Sequence, residues 1–248
     1  MRMQFIEELL RDNYSFEQAE AIQIKYQKLI DESPKTKEKI KIEHIKTIVG
    51  VDVSYFNKDN YEYGIACAVI WDLNQNRKEK HFFTKELIKF PYRPGFLGFR
   101  ECKILAKVIS KLPVMPDLIM CDGHGKVHPR RFGEATQLGL ALDISSIGIA
   151  KNPFIGYSDW QKIERKRGNK TSIWAKNPKL QSKKSLNEIL GYAVCLNDGL
   201  KPVFISEGYK IRLNDALRMC LAITKGHRQP EPLYLADYLS RKELNNYC

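Results

Sequence analysis

The run Leu118-Ile119-Met120-Cys121 offers no polar side chain to either side of the chain. Side chains of a strand alternate between two faces, so an unbroken apolar run suits a strand buried on both. That calls for layers above and below a sheet. The run closes on Asp122-Gly123-His124-Gly125. Ligands in α/β sheets gather beyond the carboxyl ends of strands, and glycines let backbone approach closely, so Asp122 reads as a site residue.

Residues 48–56 alternate strictly, with Val49, Val51, Val53 and Tyr55 on one face and Gly50, Asp52 and Ser54 on the other. Two further strands, at residues 64–72 and 81–84, flank the turn residues Asn74-Gln75-Asn76, which predicts an antiparallel meander. Helices at residues 97–112, 132–142 and 213–224 then interleave with strands at 118–121, 147–150 and 202–206. The expected fold class is α/β: a mixed sheet, antiparallel meander followed by parallel strands, flanked by helices. An N-terminal helix over residues 15–30 begins at a capping box of Ser15 and Gln18 and ends before the polar linker that holds Pro34. The 248 residues are expected to form one domain, without internal repeats.

No apolar run approaches the roughly 20 residues that span a bilayer, and Met1 to Glu8 lacks the apolar stretch of a signal peptide. The expected location is the cytoplasm, or the nucleus or nucleolus of a eukaryote, with no membrane partner and a monomeric state. Six cysteines without a C-x-x-C pair support neither a disulfide framework nor a zinc site. The net charge of +12 favours a polyanionic partner through counterion release, although a lysine-rich proteome produces the same excess. Nine Lys/Arg face a single acid, Glu164, between residues 162 and 184. This stretch is expected as a basic loop excursion over about 157–185, either a solvated loop or an arm that contacts phosphates.

Asp52 sits mid-strand among residues that suit burial, where an ionised carboxylate is expensive unless paired or bound to a metal. Its own segment favours the plainer alternative, an aspartate facing solvent or hydrogen-bonded to a neighbouring strand. Glu101 is in line with the stripe Leu105, Val108 and Leu112, which turns it toward the sheet. An acid there also gains about 0.3–1 kcal/mol from the helix N-terminus. Two strand aspartates and a helix glutamate form an all-oxygen set suited to Mg2+, which is held by one or two carboxylates, waters and substrate phosphate. Spacing alone does not join them.

Several segments together resemble the endonuclease V family: Gly50-Val51-Asp52-Val53-Ser54-Tyr55, Pro91-Tyr92-Arg93-Pro94-Gly95-Phe96-Leu97 through Glu101, and the long block from Pro116 to Lys151. Lys201 to Ser206 and Pro230-Glu231-Pro232 continue the likeness in the same order. The resemblance implies an RNase H-like fold and a DNA repair endonuclease. Such an enzyme recognises deoxyinosine and nicks the second phosphodiester bond 3′ to it, with Mg2+ or with Mn2+ in its place. An inosine-specific endoribonuclease acting on single-stranded RNA is the alternative within the family.

By position the resemblance makes Asp52 and Asp122 metal ligands, with Glu101 a third acid at or close to the metal. His128 and Lys151 fall near the scissile phosphate. Tyr92, between Pro91 and Pro94, becomes a wedge that enters the base stack. Gly95, Leu97, Gly123 and Gly125 form the pocket for the extruded base, read by main-chain groups. The sequence departs from the family pattern at Tyr209 and Lys210, where histidine and arginine are common. It also departs at Arg93, at Gly98 in place of a frequent serine, and in the basic excursion. A nucleic-acid-binding protein without chemistry would make Asp52 and Asp122 dispensable, and a structure-specific nuclease of the same fold would have no use for the wedge.

Overall fold

The computed structural model describes residues 6–180 and 187–247. Helix α1 (Phe16–Glu32) starts at Ser15, whose capping box with Gln18 is formed in both directions. A single turn, α2 (Pro34–Lys37), follows. The meander is β1 (Thr47–Lys58), β2 (Tyr61–Asp72) and β3 (Arg77–Leu87), all longer than their sequence patterns. Next come α3 (Leu97–Ile109), β4 (Leu118–Cys121), α4 (Glu134–Leu142) and β5 (Ser145–Ala150). The chain continues through β6 (Lys170–Trp174), β7 (Ile189–Val194), β8 (Val203–Tyr209), α5 (Leu213–Ala222) and α6 (Glu231–Leu244).

All eight strands join one sheet in the order β3-β2-β1-β4-β5-β8-β7-β6. The expected parallel run is confined to β1, β4 and β5. Strand β8 turns back antiparallel to β5, and β7 and β6 continue antiparallel beyond it. The period of two along β1 divides the core. Val49, Val51 and Val53 pack with Ile119 and Cys121 beneath α3 and α4. On the other face Ile48, Leu118 and Met120 meet residues of α5 and α6. Each such side chain, fully buried, contributes about 1.5–3 kcal/mol. Helix α6 lies close on β1 at Gly50, where a Cβ would collide with the Pro232 carbonyl. The face that carries Asp52 is therefore covered by a helix and does not face solvent.

The basic excursion is more ordered than a loop. Its residues 157–180 include β6 at the sheet edge, and Trp160, Ile163 and Ile173 join a cluster around Phe204. The Arg167 guanidinium donates to the carbonyls of Leu196 (2.5 Å), Thr224 (3.1 Å) and Leu221, so this cation ties the excursion to the body of the protein. Residues 181–186, with two of its lysines, lie outside the described residues. Among the described residues no helix is long and apolar enough to cross a membrane.

Candidate active site

Strands β1 and β4 run parallel with Val51 paired to Cys121. The next residue in each is an aspartate, so Asp52 and Asp122 sit on adjacent strands at about one strand spacing, ~4.8 Å. Both turn toward α6. Ser240 of α6 donates a 2.9 Å hydrogen bond to Asp52 Oδ2. Gln229 Nε2 donates to Asp122 Oδ1 at 3.1 Å, and Lys151 Nζ lies 2.5 Å from Asp122 Oδ2. The same ammonium reaches Asp237 Oδ2 of α6 at 3.0 Å, and Arg241 Nε donates to Asp237 Oδ1 at 2.5 Å.

The three aspartates have different electrostatic positions. Burial, followed by the charges of Asp122 and Asp237, pushes the Asp52 carboxyl up to about 7. Burial also raises Asp122, against the pull of Lys151. Burial opposes ionisation of Asp237 too, but the hydrogen bonds from Lys151 and Arg241 outweigh it and hold this carboxyl below its usual range. Carboxylates gathered against their mutual repulsion make a place that favours added positive charge.

Glu101 approaches from the other side of the sheet. Only 8% exposed on α3, it accepts a hydrogen bond from Tyr55 Oη and neighbours the buried Glu134 of α4. Burial raises both Glu101 and Glu134 above the carboxylate range, and the charge of Glu101 adds to the shift of Glu134. The charges of Asp52 and Asp122 reach Glu101 and raise it further, although its direct hydrogen bond is to Tyr55. A fourth acid, Asp237, joins Asp122 through the shared Lys151 ammonium.

A cleft of about 460 Å³ opens beside Asp122 and Lys151. Gly95, Leu97, Gly123 and Glu134 line it, together with Tyr92 and Pro94 of the proline turn. Tyr92 is 69% exposed at the rim, next to exposed Pro91. Arg93 stacks its guanidinium 4.7 Å from the Phe16 ring of α1, which accounts for a cation at this point of the turn. The Gly95 backbone has φ of +88°, a region that glycine enters freely. Its carbonyl accepts from Gln23 Nε2 (3.0 Å), His128 Nε2 (3.0 Å) and Arg130 Nη2 (3.1 Å), which fastens the turn to α1 and to the loop after β4.

Two expected site residues have other tasks. His128 is 3% exposed, and its Nδ1 accepts from the amides of Arg130 (3.3 Å) and Phe132 (3.4 Å). With Nε2 spent on Gly95, no ring nitrogen is left for a phosphate, and burial drops its pKa to about 4, so it stays neutral. His128 is a strut of the cleft wall. Gly125 is not among the lining residues. Its amide donates to Ser206 Oγ at 2.9 Å, and a Cβ there would strike the Glu207 carbonyl, so its smallness serves packing against β8.

Sequence reasoning missed Asp237, Glu134 and Gln229. Asp237 looks like half of an ordinary i,i+4 pair with Arg241, on a helix whose opening prolines obscure it. Tyr209 and Lys210 prove remote from the centre. Both bind Asp143 Oδ1, at 3.0 and 2.6 Å, beyond the end of α4.

Among the described residues no set of three His, Cys, Asp or Glu side chains is gathered tightly enough to enclose an ion. Asp52 and Asp122 still suit a partly hydrated hard cation, since the donors are all oxygen and the charge is crowded.

A mixed sheet with helices on both faces, acids at the ends of its central strands and a cleft alongside define an RNase H-like nuclease fold. The profile of the endonuclease V family matches residues 25–238. Endonuclease V of Dictyoglomus turgidum is 40% identical over 159 residues, 64% of this chain and 64% of that protein's length. The solved endonuclease V of Bacillus subtilis superposes with a TM-score of 0.83 at 26% identity, covering 97% of each chain. That of Ciona intestinalis, solved with a DNA containing an inosine followed by a ribo-adenosine, gives 0.76 at 28% identity, over 94% of this chain and 100% of that one. The chain belongs to the endonuclease V family.

Proposed function

We propose that this protein is a DNA repair endonuclease for deaminated purines, which nicks the strand at the second phosphodiester bond 3′ to deoxyinosine by metal-assisted hydrolysis. Mg2+ is the proposed cofactor, with Mn2+ able to replace it. One observation carries the reading: Asp122, one strand from Asp52 and joined to Asp237 through Lys151, lines a glycine-walled cleft with an exposed tyrosine at its rim. The inosine-containing DNA bound by the Ciona relative supports the choice of lesion.

In this reading Asp52 and Asp122 hold the cation, and Asp237 adds charge from α6. When bound, such a cation polarises the phosphate and makes a water nucleophilic at neutral pH. The chain's own groups do the rest. Ser240 and Gln229 fix the orientation of the two aspartates. The Lys151 ammonium, held by Asp122 and Asp237, is kept protonated by them and offsets negative charge that grows on the phosphate. Tyr92 fills the gap left in the base stack. Backbone amides along the cleft select hypoxanthine, whose O6 accepts where adenine presents an amine.

The test is an end-labelled strand with one inosine, presented as duplex DNA, single-stranded DNA, single-stranded RNA and a hybrid, with Mg2+ and with a chelator. The expected product is a single Mg2+-dependent nick one nucleotide beyond the inosine's 3′ neighbour bond in DNA. Cleavage of RNA in preference would install the inosine-specific endoribonuclease instead. Inertness toward every substrate would overturn both.

A further inference from the structure

Tyr234, Asp237, Tyr238 and Arg241 are spaced i, i+3, i+4 and i+7, so they form one stripe along α6. Leu235 and Leu239, on the opposite flank, pack against Cys67, Val69 and Phe83 of the meander. Leu233, Ala236 and Ser240 are buried beneath the helix. The stripe is turned toward Lys151, because Asp237 lies on it and reaches that ammonium. Its aromatic members do not belong to any of the buried core clusters.

Three rings on this side are stacked in series. His227, held through Nδ1 by Glu231 at 2.9 Å, lies on Tyr234 with centroids 3.4 Å apart and planes 11° from parallel. Tyr234 and Tyr238 follow at 6.4 Å and 16°. Tyr238, at the open end, is 52% exposed. Cations accompany the rings: exposed Arg241 on the stripe, Lys151 beside it, and Arg228, next to His227, whose guanidinium donates to the Lys151 and Pro202 carbonyls. The segment that supplies His227 also supplies Gln229 to Asp122. The ring series and the groups that brace the centre, Gln229, Asp237 and Ser240, are therefore built on the same two pieces of chain.

A series of parallel rings with its outermost member, Tyr238, exposed and with cations alongside is what single-stranded nucleic-acid binders present to bases, because every base has a π-face and every linkage a negative charge. We infer that His227, Tyr234 and Tyr238 form a stacking platform for unpaired nucleobases of the strand that runs past the Asp122–Lys151–Asp237 cluster. The inference rests on the proposed nucleic-acid substrate, but not on its inosine. Tyr234 and Tyr238 act here as binding residues for the flanking strand, apart from the cleft that takes the lesion.

The experiment is fluorescence anisotropy with labelled, inosine-free 12-mers in chelator, as single-stranded DNA, single-stranded RNA and blunt duplex. The proteins are the wild type, Tyr238→Ala, Tyr238→Phe and, as a remote exposed control, Tyr61→Ala. Tyr238→Ala should weaken single-strand binding by about 5- to 150-fold, the loss of one stacked base. Tyr238→Phe and Tyr61→Ala should stay within twofold of wild type, and duplex binding should not change. A loss in both single-stranded arms assigns the platform to bases in general, and a loss in one arm alone assigns it to that sugar. Wild-type affinity for Tyr238→Ala on both single strands, or an equal loss in Tyr238→Phe, would overturn the inference. Inosine cleavage is scored separately, so a protein that binds single strands through Tyr238 yet cuts nothing would sink the proposed activity and leave the platform standing.

Discussion

Asp52→Asn should make the protein more stable in metal-free alkaline solution, although it removes a carboxylate from the candidate centre. Burial and the neighbouring charges lift the Asp52 carboxyl from 3.8 to about 7. A carboxyl with a raised folded-state pKa stabilises the native protein while protonated. That contribution is whole below about pH 4 and is lost as the pH climbs through 7. At about 1.4 kcal/mol per pH step, the wild type is penalised by about 4 kcal/mol at pH 8 and about 1.5 kcal/mol at pH 5. Asparagine keeps an oxygen for the Ser240 hydroxyl and carries no charge. The variant should gain most of these amounts, less whatever the neighbouring acids absorb by taking up protons themselves. Urea unfolding in chelator at the two pH values measures both gaps. Excess Mg2+ should shrink or reverse the alkaline gap, because it relieves repulsion that only the wild type has in full. A variant no more stable than wild type at pH 8, or a gap that fails to widen between pH 5 and 8, would refute the crowding of charge on which the centre depends.

Lys151→Met leaves Asp122 and Asp237 without their shared cation, and single-turnover cleavage should fall by about 10²- to 10³-fold. Tyr92→Ala removes an exposed ring. Its unfolding free energy should stay within about 0.5 kcal/mol of wild type, while cleavage of an inosine duplex drops about 5- to 150-fold and single-stranded cleavage drops less. Gly98→Ser places a Cβ on the buried side-chain amide oxygen (Oε1) of Gln137. It should destabilise the fold by about 1–3 kcal/mol, and pairing it with Gln137→Ala should restore part of the loss in a thermal melt.

The meander and the strand at 118–121 were legible because their patterns are period-two and apolar, and the structure keeps both. The edge was harder to read. Strand β6, Lys170–Trp174, buries only Ile173, so its sequence looks like the charged loop around it. Strand β7, Ile189–Val194, is an apolar run whose partners β6 and β8 precede and follow it in the chain, but it has neither the strict alternation nor the turn signals that mark β1. Helix α6 was hidden by prolines in its first turn and by the small residues Ala236 and Ser240 on its packed side. With α6 went Asp237, whose place beside Asp122 depends on how the helix crosses β1 at Gly50, where no local pattern points to it. Asp52 and Asp122 were legible as candidates, and the register of Val51 with Cys121 explains why they meet. The role of His128 was not legible, since only the fold reveals that Gly95 and two backbone amides use both ring nitrogens.

Anomalous diffraction from metal-free crystals soaked in Mn2+ tests the centre most directly. A strong peak is expected within bonding distance of both the Asp52 and Asp122 carboxylates, on the side of the sheet that faces α6, with Lys151 displaced from Asp122 or retained on Asp237. Peaks only at other surfaces, or none where these two side chains meet, would contradict it.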